Sequence, residues 1–134
     1  MPLNNKASKD RMNKLLRAIV AISGIMFIVT GLRWLVDPHA GAAQLGMPLL
    51  AGLGRSSQIG DMASFFLSMG MLILIALITG KRVWYYPPIM LLAVAAVGRT
   101  VAWLVHDAAA AIEMIAPEVI IACLLLLASR RLAR

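Results

Sequence analysis

Four long apolar runs constrain this chain more than anything else in it: Leu15 to Val36, Ile59 to Thr79, Trp84 to Val105 and Ala109 to Ser129. Each has about 20 residues, enough to cross ~30 Å of hydrocarbon at ~1.5 Å per residue. None alternates with period two, so the runs predict helices rather than strands. The 134 residues leave room for one domain. The expected fold is therefore all-α: a single integral membrane domain built as a four-helix bundle. Composition agrees, since a chain that is 61% hydrophobic and 14% charged has too little polar surface to cover a soluble core.

Charge sets the expected direction. Ten of the thirteen Lys and Arg residues fall in the N-terminal segment, in the GKRV connection at 80–83, or after Ser129. Only Arg33, Arg55 and Arg99 lie in the opposite half, with five of the six acids. The positive-inside rule then places both termini in the cytoplasm. The net charge of +7 reads as attraction to anionic lipid head groups, not to nucleic acid. The polar, basic start leads into the first run with no small-residue cleavage site, so that helix is expected to be retained. Trp84, Tyr85 and Tyr86 are placed where an aromatic belt marks the inner interface, and Trp34 and Trp103 near the outer one. Residues 37–58, rich in Gly and half apolar, are expected to form an outer-side loop or interfacial segment with a short helix near Ala42–Leu45.

The charges within the runs raise the functional question. Counting ~1.5 Å per residue from the inner ends puts Arg33 roughly 24 Å up and Arg99 roughly 22 Å up. Glu113 comes out roughly 24 Å up and Glu118 roughly 16 Å up, near the midplane. A lone charge at such depth costs ~2.5–3.5 kcal/mol on insertion scales, so these side chains should face the bundle interior and pair, protonate or line a wet cavity. Arg99 is expected to pair with Glu113 at matching height, where Arg33 could join, and Glu118, deeper, is expected either to be reached by an arginine extending downward or to be neutral. Arg99, Trp103 and His106 stand at i, i+4 and i+7, one stripe of a helix, and Ser57, Asp61, Ser64 and Ser68 form another. Gly60, Ser64 and Ser68 allow close helix approach. Pro117 removes one backbone hydrogen bond beside the two carboxylates and frees the carbonyl of Glu113.

These residues define a candidate pocket open to the outside. Glu113, Glu118 and Arg99 are the candidate catalytic groups, with the carboxyls as general acid/base and Arg99 stabilising negative charge. Arg33, Arg55, Asp61, Trp103 and His106 are the candidate ligand-binding groups. The inventory suits proton-shifting isomerisation, and hydrolysis lacks a nucleophile. No metal-ligand spacing, phosphate loop or nucleophile elbow occurs. His39 and His106 carry no haem signature, Cys123 is the only cysteine, and no particular cofactor is implied.

The succession GLRWLVDP, GRSSQIGDM and GRTVAWLVHD with a late Glu resembles a family of small bacterial four-helix membrane proteins of the DoxX-like group. The resemblance spans about residues 15–128 and matches at Arg33, Arg55, Asp61, Arg99 and Glu113. It implies the bacterial inner membrane, and a neighbourhood of redox membrane partners and assembly roles, without implying a reaction. Three readings follow. The first is a pocket for a small amphipathic, quinone- or lipid-like molecule. The second is an accessory or assembly subunit of a membrane complex. The third is a small proton-coupled transporter working through Glu118.

Overall fold

The computed structural model describes residues 2–134 and is helical almost throughout. Its elements are α1 (Pro2–Val36), α2 (Pro38–Gln44), α3 (Gly52–Thr79), a 3-10 turn (Arg82–Tyr85), α4 (Tyr86–Val105) and α5 (Ile112–Arg131). Four of these helices are long and apolar enough to cross a membrane. Two start earlier than hydropathy predicts. α1 begins at Pro2 instead of Leu15, and at 35 residues it is about 52 Å long, well beyond the ~30 Å of a hydrocarbon core. Its first three turns are polar but contain no helix breaker, so the helix continues after the apolar run stops. α3 begins at Gly52 instead of Ile59, which takes seven residues out of the expected outer-side segment.

The rest of that segment folds back onto the bundle. Asp37 caps α2 by accepting from the Ala40 amide at 3.2 Å, and Pro38 occupies the first turn, where a missing N–H costs nothing. α2 then lies over Trp34, which is fully buried. Gly41 makes this approach feasible, since a Cβ there would sit 2.9 Å from the indole. Trp34 is thus a core residue under α2 and not a member of an interfacial belt. Tyr85 is likewise fully buried, whereas Trp84 and Tyr86 are exposed. The Asp37→Ala variant should cost about 1 kcal/mol. It should be read as a lower melting temperature together with faster hydrogen exchange at Ala40, and unchanged exchange there would contradict the cap.

Helix pairing is uneven. α1 packs extensively along α3, and α4 along α5, while the α1–α5 and α3–α4 seams are thinner. The molecule is two antiparallel helical pairs laid side by side. In the α1–α3 pair the backbones nearly touch. A Cβ on Gly70 would lie 2.6 Å from the Gly24 carbonyl oxygen, and one on Gly31 2.8 Å from the Leu67 nitrogen. The expected Gly60–Ser64–Ser68 stripe does not serve this purpose, because Gly60 has open space around it and Ser64 is exposed.

One end of the bundle gathers the basic residues. The 80–85 turn and the last residues are tied together there: the Arg82 amide donates to the Arg134 carbonyl at 3.1 Å and the Arg134 amide to that of Gly80 at 2.9 Å. Arg82 Nε donates to the carbonyl of buried Ser129 at 3.0 Å. One cluster, around Val20, Met69, Ile73, Tyr85 and Leu125, forms the core toward this basic end. A second, around Trp34, Ala42, Ala63 and Phe66, fills the opposite end beneath α2, here called the loop end.

Candidate functional site

A cleft of about 260 Å³ opens between the two helical pairs. α1 contributes Ser23, Met26, Phe27 and Thr30, one face at helical spacing. α5 contributes Glu113, Met114, Pro117, Glu118 and Ile121. Phe66 of α3, Arg99 of α4 and Gln44 with Leu45 from the α2 end close it. Most of the wall is apolar, with a few polar groups set into it, as in small-molecule sites generally.

Arg99 and Glu118 are the centre of the cleft. Arg99 Nε donates to Glu118 Oε1 at 2.9 Å, with the two side chains 33% and 13% exposed. Of the two acids, Arg99 meets the deeper Glu118 and not Glu113 at the expected matching height. Residues 106–111 form a connection, so α5 starts at Ile112 and ends at Arg131, while α4 starts at Tyr86. Measured from those ends, Arg99 and Glu118 both lie about 20 Å from the basic end. Glu113 falls in the first turn of α5, about 7.5 Å nearer the loop end. A buried pair keeps both charges only if good geometry offsets their desolvation. Here the geometry is only half complete: Glu118 Oε2 is buried and has no hydrogen-bond partner. Among the described residues, neither Nη group of Arg99 has one either.

The other predicted site residues are scattered. Arg33 sits just outside the cleft and donates from Nη1 to Gln44 Oε1 at 3.1 Å, so it orients an amide that lines the cleft. Arg55 is a loop clamp, its Nε donating to the Leu50 carbonyl at 2.7 Å. Gln58 does the same work from one turn away, accepting from the Leu50 amide at 3.0 Å and donating to the Pro48 carbonyl at 3.0 Å. Asp61 is exposed, and its carboxylate pairs with nothing among the described residues. Trp103 is half exposed and His106 exposed, and neither lines the cleft. The helical stripe through Arg99 is thus not one functional face, because only its deepest member points between the helical pairs.

Several cleft residues were not singled out from the sequence. Ser23, Phe27 and Thr30 stand at i, i+4 and i+7, a pattern that could have flagged this face of α1. Each hydroxyl donates to a carbonyl of its own helix, Ser23 to Ile19 and Thr30 to Met26, both at 2.9 Å, leaving its oxygen as an acceptor. Gln44 gave no signal, since only the folding back of α2 brings it to the cleft.

Phe66 forms a partition. It stacks on Phe27 at 6.1 Å on the cleft side and meets Phe65 edge-on at 5.1 Å on the other. Beyond it, between α3 and α4, lies a second hollow of about 360 Å³. Leu45, Phe66 and Arg99 line both.

The chain matches no family model, no curated protein and no solved structure. Its class therefore rests on its own architecture: it is a multi-pass α-helical membrane protein. Lipid contact follows from the same architecture, with exposed rows such as Ile22, Ile25, Val29 and Leu32 on α1 and Val94, Val97, Val101 and Leu104 on α4.

Proposed function

We propose that the cleft binds a small amphipathic molecule, quinone-like or lipid-like, whose polar head meets Arg99 and Glu118 and whose apolar body lies against Met26, Phe27, Met114 and Ile121. The observation that carries this reading is the half-satisfied ion pair. Glu118 Oε2 is buried without a donor, and such groups in membrane helices are retained where a ligand, a proton or water completes them. A head bearing both a donor and an acceptor satisfies the carboxylate and the guanidinium together. The protein is read as sitting in the bacterial inner membrane with both termini cytoplasmic, because ten Lys and Arg gather at or beyond one end. The cleft then opens toward the outer side. A catalytic version assigns proton transfer to Glu118 or Glu113, with Arg99 stabilising the charge that develops. A DoxX-like kinship fits the same picture.

Native mass spectrometry of the protein extracted gently from its own membrane tests the proposal. Wild type should carry a small molecule that both Arg99→Ala and Glu118→Gln release. If no small molecule is bound and a co-extracted protein survives both substitutions, the accessory-subunit reading replaces this one.

A further inference from the structure

The polar groups of the cleft are unequally divided between hydrogen-bond donors and acceptors. Ser23 and Thr30 each spend the hydroxyl proton on a carbonyl of their own helix, at 2.9 Å, so they offer the cleft lone pairs only. Gln44 Oε1 accepts from Arg33 Nη1 at 3.1 Å, which leaves the amide NH2 of Gln44 as its free end. Glu118 gives one oxygen to Arg99 Nε at 2.9 Å, and the other is buried without a donor. Glu113 lines the cleft, and its carboxylate pairs with no cation among the described residues. Glu113, Glu118, Ser23 and Thr30 therefore call for a donor, and only Arg99 and Gln44 call for an acceptor.

Formal charge runs the same way. Arg99 is the one basic residue lining the cleft, against the two acids, and Arg33 lies outside it, turned to Gln44. The aromatic wall adds to this preference. Phe27 and Phe66, their ring centroids 6.1 Å apart, both line the cleft, and the face of an aromatic ring attracts a cation.

We infer that the amphiphile held in the cleft has a primary ammonium head, donating to Glu118 Oε2 in the field of Glu113. This rests on the reading of the cleft as an amphiphile site and narrows the head to one chemical class. An ammonium brings three N–H donors and no acceptor, and its single positive charge brings the charged lining to neutrality. Its bond to a carboxylate is charge-assisted, about twice as strong as a neutral one. Glu113 is exposed and about 7.5 Å nearer the loop end, so it attracts the head through its charge while Glu118 holds it. A quinone head carries acceptors only. It meets Arg99 and leaves the buried Glu118 oxygen unsatisfied. A carboxylate head adds a further negative charge beside the two acids.

Four probes of similar chain length and different head test this: dodecylamine, dodecanol, dodecanoate and a decyl-substituted benzoquinone. Each is titrated into the purified full-length protein and followed by native mass spectrometry. Dodecylamine should bind saturably, one molecule per chain, and about tenfold or more tighter than the other three. Glu113→Gln removes one charge without touching the Arg99–Glu118 pair. It should weaken dodecylamine by about fivefold or more and leave dodecanol unchanged. Phe27→Leu should weaken dodecylamine by about threefold. Phosphatidylethanolamine that displaces dodecylamine where phosphatidylcholine does not would assign the ammonium to a membrane lipid, and displacement by neither would leave a free long-chain amine as its source. Another head bound as tightly as dodecylamine, and lost in Arg99→Ala, would overturn the ammonium inference and leave an amphiphile in the cleft. Dodecylamine binding unchanged in both Glu113→Gln and Phe27→Leu would also overturn it. Binding of none of the four would overturn it together with the proposed function.

Discussion

Gly70→Leu should be the most damaging single substitution in the apolar part of the chain. At Gly70 the added Cβ alone lies 2.6 Å from the Gly24 carbonyl oxygen and 2.8 Å from the Ile28 nitrogen. Those are backbone atoms in the middle of a helix, so no rotamer change relieves the contact and α1 must move off α3. Overpacking a close interface costs about 1–3 kcal/mol where side chains can adjust, and here the cost should reach or exceed about 3 kcal/mol. The loss is serious in a membrane, where lipid tails are as apolar as leucine and helix association depends on close packing instead of the hydrophobic effect. Size-exclusion chromatography after graded heating should show the variant aggregating first, with Gly60→Leu behaving like wild type. Equal thermal profiles for the two variants would mean that α1 and α3 do not cross at these glycines.

The second large effect concerns Arg99 and Glu118. Removing either partner strands the other in a poorly solvated cleft, and breaking a buried pair costs about 3–5 kcal/mol. Arg99 remains a third exposed, so water softens the penalty to about 2 kcal/mol. Arg99→Ala should destabilise at least as much as Glu118→Ala, because it strands the more buried partner, whose second oxygen already lacks a donor. The double variant Arg99→Met with Glu118→Leu should recover stability to within about 1 kcal/mol of wild type, since apolar replacement of a buried pair is often neutral or better. A pair kept for ligand binding predicts a double variant that is stable and empty. A double variant as unstable as the singles would show that the charges hold the helices together in some further way.

These two predictions rest on features that differ in how visible they are in the sequence. Hydropathy alone marks where the membrane helices run, because each must be apolar over about 20 residues whatever it packs against. It does not mark where they stop. The polar turns at 2–14 and the 52–58 stretch continue their helices although they are not apolar, because a helix satisfies its own backbone hydrogen bonds whether or not its side chains are apolar. Depth in the membrane marks Arg99 and Glu118 as residues needing partners. It favours Glu113 for Arg99 only because a count from assumed helix ends carries any error in those ends, and an error of two residues shifts the apparent height by about 3 Å.

Arg55, Asp61, Trp103 and His106 show the other limit. A charged or aromatic residue near the end of an apolar run belongs equally well to a site, a loop clamp or an exposed rim. Arg55 proved to be a clamp on the Leu50 carbonyl and Trp103 lies half exposed. Shared local sequence has the same weakness: RWLVDPH (33–39) and AWLVHD (102–107) both carry Trp-Leu-Val, yet Trp34 is fully buried beneath α2 while Trp103 is half exposed.

By itself, then, the sequence determined the membrane, the number of crossings, the segregation of positive charge and the short list of embedded charges in need of an explanation. Those properties depend on the transfer of each segment between water and hydrocarbon, which is local and additive along the chain. The tertiary structure alone decided which glycines carry the α1–α3 contact, that α2 folds over Trp34, that Arg99 meets Glu118, and that Phe66 stands between the cleft and a second hollow. Each of these depends on the rotation and register of one helix against another. Lipid solvates every apolar face equally well, so hydropathy does not distinguish the face that meets a neighbouring helix from the face that meets the bilayer.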